Sequence, residues 1–203
     1  MNIVDLILSF GLLIIAMTVH EFAHGWVAYK LGDTTAKYSG RLTLNPLAHI
    51  DPIGTIILPL LLFFTTGFAI GWAKPVPINY WALRNPKRDL IWVGASGPIA
   101  NIIFAILLSI LWRIIPSFYI TNAVFQKLIY INLLLAAFNL VPIPPLDGSR
   151  IAMGILPDDL ASKYSAIEPY GFIIIMLLIW LGVFDLFIWP IVKILSRLLM
   201  IPL

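Results

Sequence analysis

No cysteine occurs in the 203 residues. That excludes disulfides, thiolate-held metals and cysteine nucleophiles, so any metal must be held by histidine or by oxygen ligands. Histidine is itself scarce, at three residues, which makes the list of nitrogen ligands short. Charge is scarce too: Asp, Glu, Lys and Arg make up 11% of the chain, against about 25% in a soluble domain. With 61% hydrophobic residues and a mean hydropathy of +0.97, the chain reads as an integral membrane protein. Its thirteen Lys and Arg outnumber ten Asp and Glu, giving a net charge of +3, and they form no block. Spread over the loops, they point to membrane orientation and contact with lipid headgroups, and away from nucleic acid. Met1 to Phe10 has no basic region, and no small-residue cleavage site follows, so the first apolar segment is expected to be retained.

The apolar runs lay out an all-α polytopic membrane protein, a helical bundle of about four spans plus a re-entrant or additional span with short extended segments. The four spans are Ile3–Leu31, Leu90–Ile115, Asn122–Val141 and Tyr170–Trp189. A fifth apolar run, Ile53–Ile70, contains Gly54, Pro59 and Gly67 and leads into Gly71-Trp72-Ala73-Lys74-Pro75-Val76-Pro77. Proline spacing makes that last piece extended, and it is a candidate to pair with a partner strand. Tyr38–Leu44 partly alternates, as a short strand would. Three prolines between Pro142 and Pro145 forbid a regular helix, so the chain is expected to unwind there and restart near Asp147. Val192–Leu203, with Lys193 and Arg197, reads as a tail lying on the membrane surface. Residues 1–203 form one domain in this reading, with a catalytic core over about 3–155 and a C-terminal span and tail over 170–203.

The first span carries His20-Glu21-Phe22-Ala23-His24. Residues four apart share one face of a helix, so the two imidazoles stand side by side with Glu21 on the turn between them. This is the ligand-and-base spacing of a zinc hydrolase. Alone the motif is weak, since two helix histidines can simply pack against polar neighbours. Inside a bilayer span, three ionisable groups are costly without a shared use. Asp147, after the proline-broken stretch, is the candidate third ligand; its plainer reading is the cap of the next helix. Two histidines and one carboxylate leave zinc an open position for water, which Glu21 would deprotonate before handing the proton to the leaving amine. Small residues at Gly94-Ala95-Ser96-Gly97-Pro98 predict close packing of the Leu90–Ile115 span on the motif helix. His49 is either a gate residue or an ordinary loop histidine.

In sum these motifs resemble the site-2 protease family of intramembrane zinc metalloproteases, in a minimal form without a PDZ or CBS module. HEFAH matches the family's HExxH. Asn139-x-x-Pro142-x-Pro144-x-x-Asp147-Gly148 matches its NxxPxPxxDG motif, and Ser96-Gly97-Pro98 with Asn101 matches its middle-span motif. The resemblance implies one Zn2+ per chain, held by His20, His24 and Asp147, with Glu21 catalytic. It also implies a transmembrane protein or peptide as substrate, cut within or next to its span. Asn139 and, through its motif, Asn101 are implied to bind the substrate backbone or the oxyanion.

Many members have a span before the HExxH helix, and none is expected before it here. Compact members of the family run their two catalytic spans in the same direction. That parity favours a re-entrant Ile53–Trp72 and gathers Lys30–Arg41 and Lys74–Arg88 on one face, which is cytoplasmic by the positive-inside rule. A prokaryotic cell membrane, with the active site towards the cytoplasm, is the expected location. The alternative is a non-proteolytic zinc-binding membrane protein or a metal transporter, against which stands the lack of a second ligand cluster.

Overall fold

The computed structural model describes residues 3–66, 71–116 and 119–201. Helix α1 (Ile3–Leu31) has 29 residues. At 1.5 Å per residue it is longer than a hydrocarbon core of about 30 Å. The chain leaves it at Gly32-Asp33, makes the one-turn α2 (Thr35–Tyr38), and takes a tight 3-10 turn at Pro46–His49. No strand forms over Tyr38–Leu44; Tyr38 ends α2 and turns and bends follow. The backbone N–H groups of Arg41 and Leu42 both bond back to the Ala36 carbonyl (2.9 and 3.1 Å), which uses up the donors a strand would need.

Asp51 starts the next helix by accepting from the N–H groups of Ile53 (3.0 Å) and Gly54 (2.7 Å), with Pro52 at the first position. A wide turn over Pro52–Ile57 runs into α3 (Leu58–Thr66). At 1.5 Å per residue the pair is too short to cross the bilayer. Residues 67–70 of the predicted Ile53–Ile70 run lie outside the described residues. The chain then comes back to where it left: Trp72 N–H donates to the Gly54 carbonyl (3.0 Å), and Thr55 Oγ1 donates to the Trp72 carbonyl (2.7 Å). The described ends of the segment are thus bonded together, an arrangement that fits a run turning back on one side.

An extended strap over residues 71–79 follows. Asp33, fully buried, ties it to the end of α1. Its Oδ2 accepts from Asn79 N–H (2.7 Å), while Oδ1 accepts from Thr35 N–H (2.9 Å) and Thr35 Oγ1 (2.5 Å). Removing the carboxylate strands three donors, each bond to a charged acceptor being worth about 1.5–3 kcal/mol. Asp33→Ala is therefore expected to lower unfolding stability in detergent by about 2–4 kcal/mol and to open the strap to limited proteolysis. An unchanged melting point and cleavage pattern would contradict the anchoring role.

Helix α4 (Pro86–Ile114) is central, packing against α1, against α5 (Tyr119–Asn139) and against α6 (Asp147–Ile155). Between α5 and α6 the proline-rich stretch is held by turns, with Ile143 N–H bonded to the Val141 carbonyl (2.8 Å) and Leu146 N–H to Ile143 (2.9 Å). The restart at Asp147 agrees with the proline argument. Then come α7 (Asp158–Ser165), α8 (Gly171–Trp180) and α9 (Val183–Leu198). By length and composition, four stretches of the described residues can cross a membrane: Val4–Leu31, Pro86–Ile114, Thr121–Asn139 and Asp158–Trp180. The chain is an all-α integral membrane protein.

The C-terminal region departs from expectation in the bounds of its span, and its tail is helical. The predicted span Tyr170–Trp189 is broken after Trp180, where Gly182 takes φ +69°, a left-handed conformation that ends α8 and aims α9 elsewhere. The predicted surface tail, of which 202–203 lie outside the described residues, is largely α9. That helix runs back along α5, with the rings of Phe138 and Phe184 5.3 Å apart and those of Tyr130 and Trp189 6.3 Å apart, and the Leu199 carbonyl after it accepts from Arg113 of α4 (2.6 Å). Phe184, Ile188 and Val192, spaced as one helix face, join Ile129, Leu133 and Ala137 of α5 in the main core. Near the start of α1, Asp5 pairs with Lys127 of α5.

Candidate metal centre

His20, Glu21 and His24 sit two-thirds of the way along α1, and both histidines are buried. Their Nε2 atoms lie 3.1 Å apart. Asp147 is the first helical residue of α6, and its side chain makes no capping bond. Its Oδ2 instead lies 3.0 Å from His20 Nε2 and its Oδ1 3.2 Å from His24 Nε2. The capping explanation for Asp147 is thus not what the local geometry supports.

Protons decide what this cluster can hold. His24 Nδ1 donates to the Val93 carbonyl (2.8 Å) and His20 Nδ1 donates to Asn101 Oδ1 (2.6 Å). Both partners only accept, so each neutral ring carries its hydrogen on Nδ1 and turns a lone pair inward from Nε2. Asp147 Oδ2 is buried and accepts no hydrogen bond. Lone pairs from two imidazoles and a carboxylate therefore converge with no proton between them, an arrangement that a cation satisfies. The separations of 3.0–3.2 Å fall just inside the edge of about 3.3–3.6 Å for a tetrahedron with bonds of about 2.0–2.2 Å. A neutral nitrogen pair plus one carboxylate is a donor set that suits zinc. Among the described residues this is the only group of three such side chains.

Close approach of α4 makes the cluster possible. A Cβ built on Gly97 would lie 2.5 Å from His20 Cε1 and press on His24 Nε2 as well. The small-residue stretch read as a packing surface is thus the wall against which both imidazoles lie.

The cluster opens onto a cavity of about 330 Å³ lined by residues including Glu21, Val76, Tyr80, Asn139, Asp147 and Arg150. Glu21 Oε2 accepts from Val76 N–H in the strap (2.8 Å). Asn139, the last residue of α5, faces the same cavity, and its Nδ2 donates to the Leu135 carbonyl (3.0 Å). Arg150 pairs with Glu168 through both guanidinium ends and lies over the Tyr80 ring. Burial pushes the Tyr80 phenol up, with Arg150 opposing it, so its hydroxyl stays protonated through neutral pH.

Two predicted residues stand elsewhere. Asn101 has no exposure and lies behind His20, not on the cavity. His49 is buried in the loop, donating from Nε2 to the Thr43 carbonyl (2.8 Å), away from the cluster. The strap's expected pairing edge is occupied: the N–H groups of Trp72, Lys74 and Val76 go to Gly54, His49 and Glu21. Sequence reasoning missed Arg150, the Val76 N–H and Asn132. Only Asn132 had a signal, as an amide seven residues before Asn139 with apolar residues between them.

Residues 117–181, which include Asn139 and Asp147, match Peptidase family M50. The "Putative zinc metalloprotease YwhC" of Bacillus subtilis (strain 168) is 38% identical over 187 residues, covering 88% of this chain and 82% of that protein. The chain belongs to peptidase family M50. As an M50 peptidase it is a zinc metalloprotease, and zinc is its cofactor. More distant relatives agree. "Putative zinc metalloprotease Rip2" of Mycolicibacterium smegmatis is 27% identical over 168 residues, 82% of this chain and 64% of that one. "Zinc metalloprotease MJ0392" of Methanocaldococcus jannaschii is 27% identical over 151 residues, 72% of the M50 chain and only 34% of the relative. No solved structure matches the chain.

Proposed function

We propose that this chain is an intramembrane zinc endopeptidase, a single domain over residues 1–203 that cleaves transmembrane segments of other proteins within or next to the bilayer. The observation that carries the reading is the convergence of the His20, His24 and Asp147 lone pairs beside Glu21, with both histidines and Glu21 on a helix long and apolar enough to span. Zinc held by those three side chains supplies a Lewis acid that polarises a carbonyl and lowers the pKa of coordinated water to about 7. Glu21 is the general base: it takes a proton from the attacking water as the new C–O bond forms. It returns that proton to the amine as the C–N bond breaks. Asn139 faces the cavity from the end of α5, within reach of a substrate backbone or oxyanion. Asn101 is better suited to hold His20 than to touch substrate, being wholly buried behind it. A substrate helix must unwind locally, because its carbonyls are otherwise bonded and shielded.

Seven of the thirteen Lys and Arg, from Lys30 to Arg88, fall between α1 and the first turn of α4. That bias supports a cytoplasmic position for the loops and the strap. The chain's lack of cysteine makes the test clean. Lys37→Cys is expected to react with an impermeant maleimide only when the cytoplasmic face is open, and Ile114→Cys only from the opposite side. The reverse pattern would invert the topology. Activity is tested by co-reconstituting the protein in liposomes with single-span reporter peptides. Chelator-sensitive cuts inside or beside the span are expected; cleavage of soluble peptides alone would contradict the intramembrane assignment.

A further inference from the structure

We propose that Asn132, in the middle of α5, is a positioning residue that fixes the tautomer of His20 through Asn101. The inference rests on the reading that His20 holds zinc. Asn101 and Asn132 are both without exposure, and nothing but protein surrounds them. A buried carboxamide left free to rotate offers a histidine either an acceptor or a donor. The wrong choice places the ring hydrogen on Nε2, where it blocks the metal.

Three bonds remove the choice. Asn132 Nδ2 donates to the Leu128 carbonyl (2.8 Å), which can only accept and so fixes which end of the Asn132 amide is nitrogen. Asn132 Oδ1 then faces Asn101 and accepts from its Nδ2 (2.7 Å). The second hydrogen of that nitrogen goes to the Ala16 carbonyl in α1 (3.1 Å). With Nδ2 committed twice, only Oδ1 of Asn101 is left for His20, whose Nδ1–H it accepts at 2.6 Å. The chain of donors runs one way, from His20 through Asn101 and Asn132 to the α5 backbone, and its end result is a bare Nε2 facing His24 and Asp147. Outer partners of this kind commonly change metal affinity by about 10–100-fold. The relay also joins α1, α4 and α5 at the depth of the cluster, so the helix that carries no metal ligand still governs one.

The test compares Asn132→Leu, which keeps size and removes both polar ends, with Asn132→Asp. The protonated acid keeps an acceptor for Asn101 and a hydroxyl for the Leu128 carbonyl. Zinc affinity is measured by chelator competition. The His20 tautomer is read by 15N NMR of histidine-labelled protein, which has three histidines to assign. Asn132→Leu is expected to weaken zinc binding by about 10–100-fold and to give His20 a mixture of tautomers. Asn132→Asp is expected to restore both to near wild type. Zinc affinity within twofold of wild type in Asn132→Leu, with His20 still wholly Nδ1–H, would overturn the proposal. If Asn132→Leu fails to fold, a failure of Asn132→Asp to hold zinc while its helix content is intact overturns it equally. Loss of zinc in His20→Ala keeps the parent reading standing in either case; retention there would defeat that reading instead.

Discussion

Glu21→Gln is expected to keep about one zinc per chain and to cut reporter cleavage by about 10²–10⁴-fold, the usual worth of a positioned base. The two side chains have the same length and shape. A glutamine oxygen can still accept from Val76 N–H, as Glu21 Oε2 does at 2.8 Å, so the strap should stay in place. What is lost is basicity alone. His20, His24 and Asp147 keep their positions, because none of their hydrogen-bond partners is Glu21. Wild-type turnover in this variant would remove Glu21 from the chemistry. A fall in zinc content alongside activity would mean that it supports the metal instead.

Gly97→Ala is expected to abolish both zinc binding and cleavage. The added Cβ would sit 2.5 Å from His20 Cε1 and against the second imidazole, far inside contact distance. Either both rings swing away from Asp147 or α4 moves off α1, and each outcome separates the ligands. The control is Gly11→Ala on α1, where a Cβ meets nothing within 4 Å. Alanine is the better helix former by about 1 kcal/mol, so that variant should be at least as stable and fully active. Equal zinc content in Gly97→Ala and wild type would show that the imidazoles do not rest on this face of α4.

Much of the site was legible because its chemistry is local or conspicuous. The i, i+4 spacing of His20 and His24 needs only a helix to pair them. Asp147 stood out as a carboxylate after a stretch that proline forbids from being helical. The path of Ile53–Ile70 was open from sequence, since a largely apolar run of eighteen residues can span or turn back. What brings its described ends together is the bond of Trp72 to Gly54, a long-range pairing that no periodicity announces. The packing of α9 was not legible, because Lys193 and Arg197 lead the reading of a tail on the membrane surface. Its apolar face, Phe184, Ile188 and Val192, has a partner only once α5 is folded beside it. Asn101 looked like a substrate contact by motif, and its burial behind His20 depends on how α4 packs, which spacing along one helix does not encode.

The central claim is that His20, His24 and Asp147 together hold the zinc. Metal analysis of purified protein tests it most directly, comparing wild type with Asp147→Ala and with the His20→Ala, His24→Ala double variant after identical zinc loading. About one zinc per wild-type chain, with little or none in either variant, is the predicted result. Full zinc retention in Asp147→Ala would contradict it.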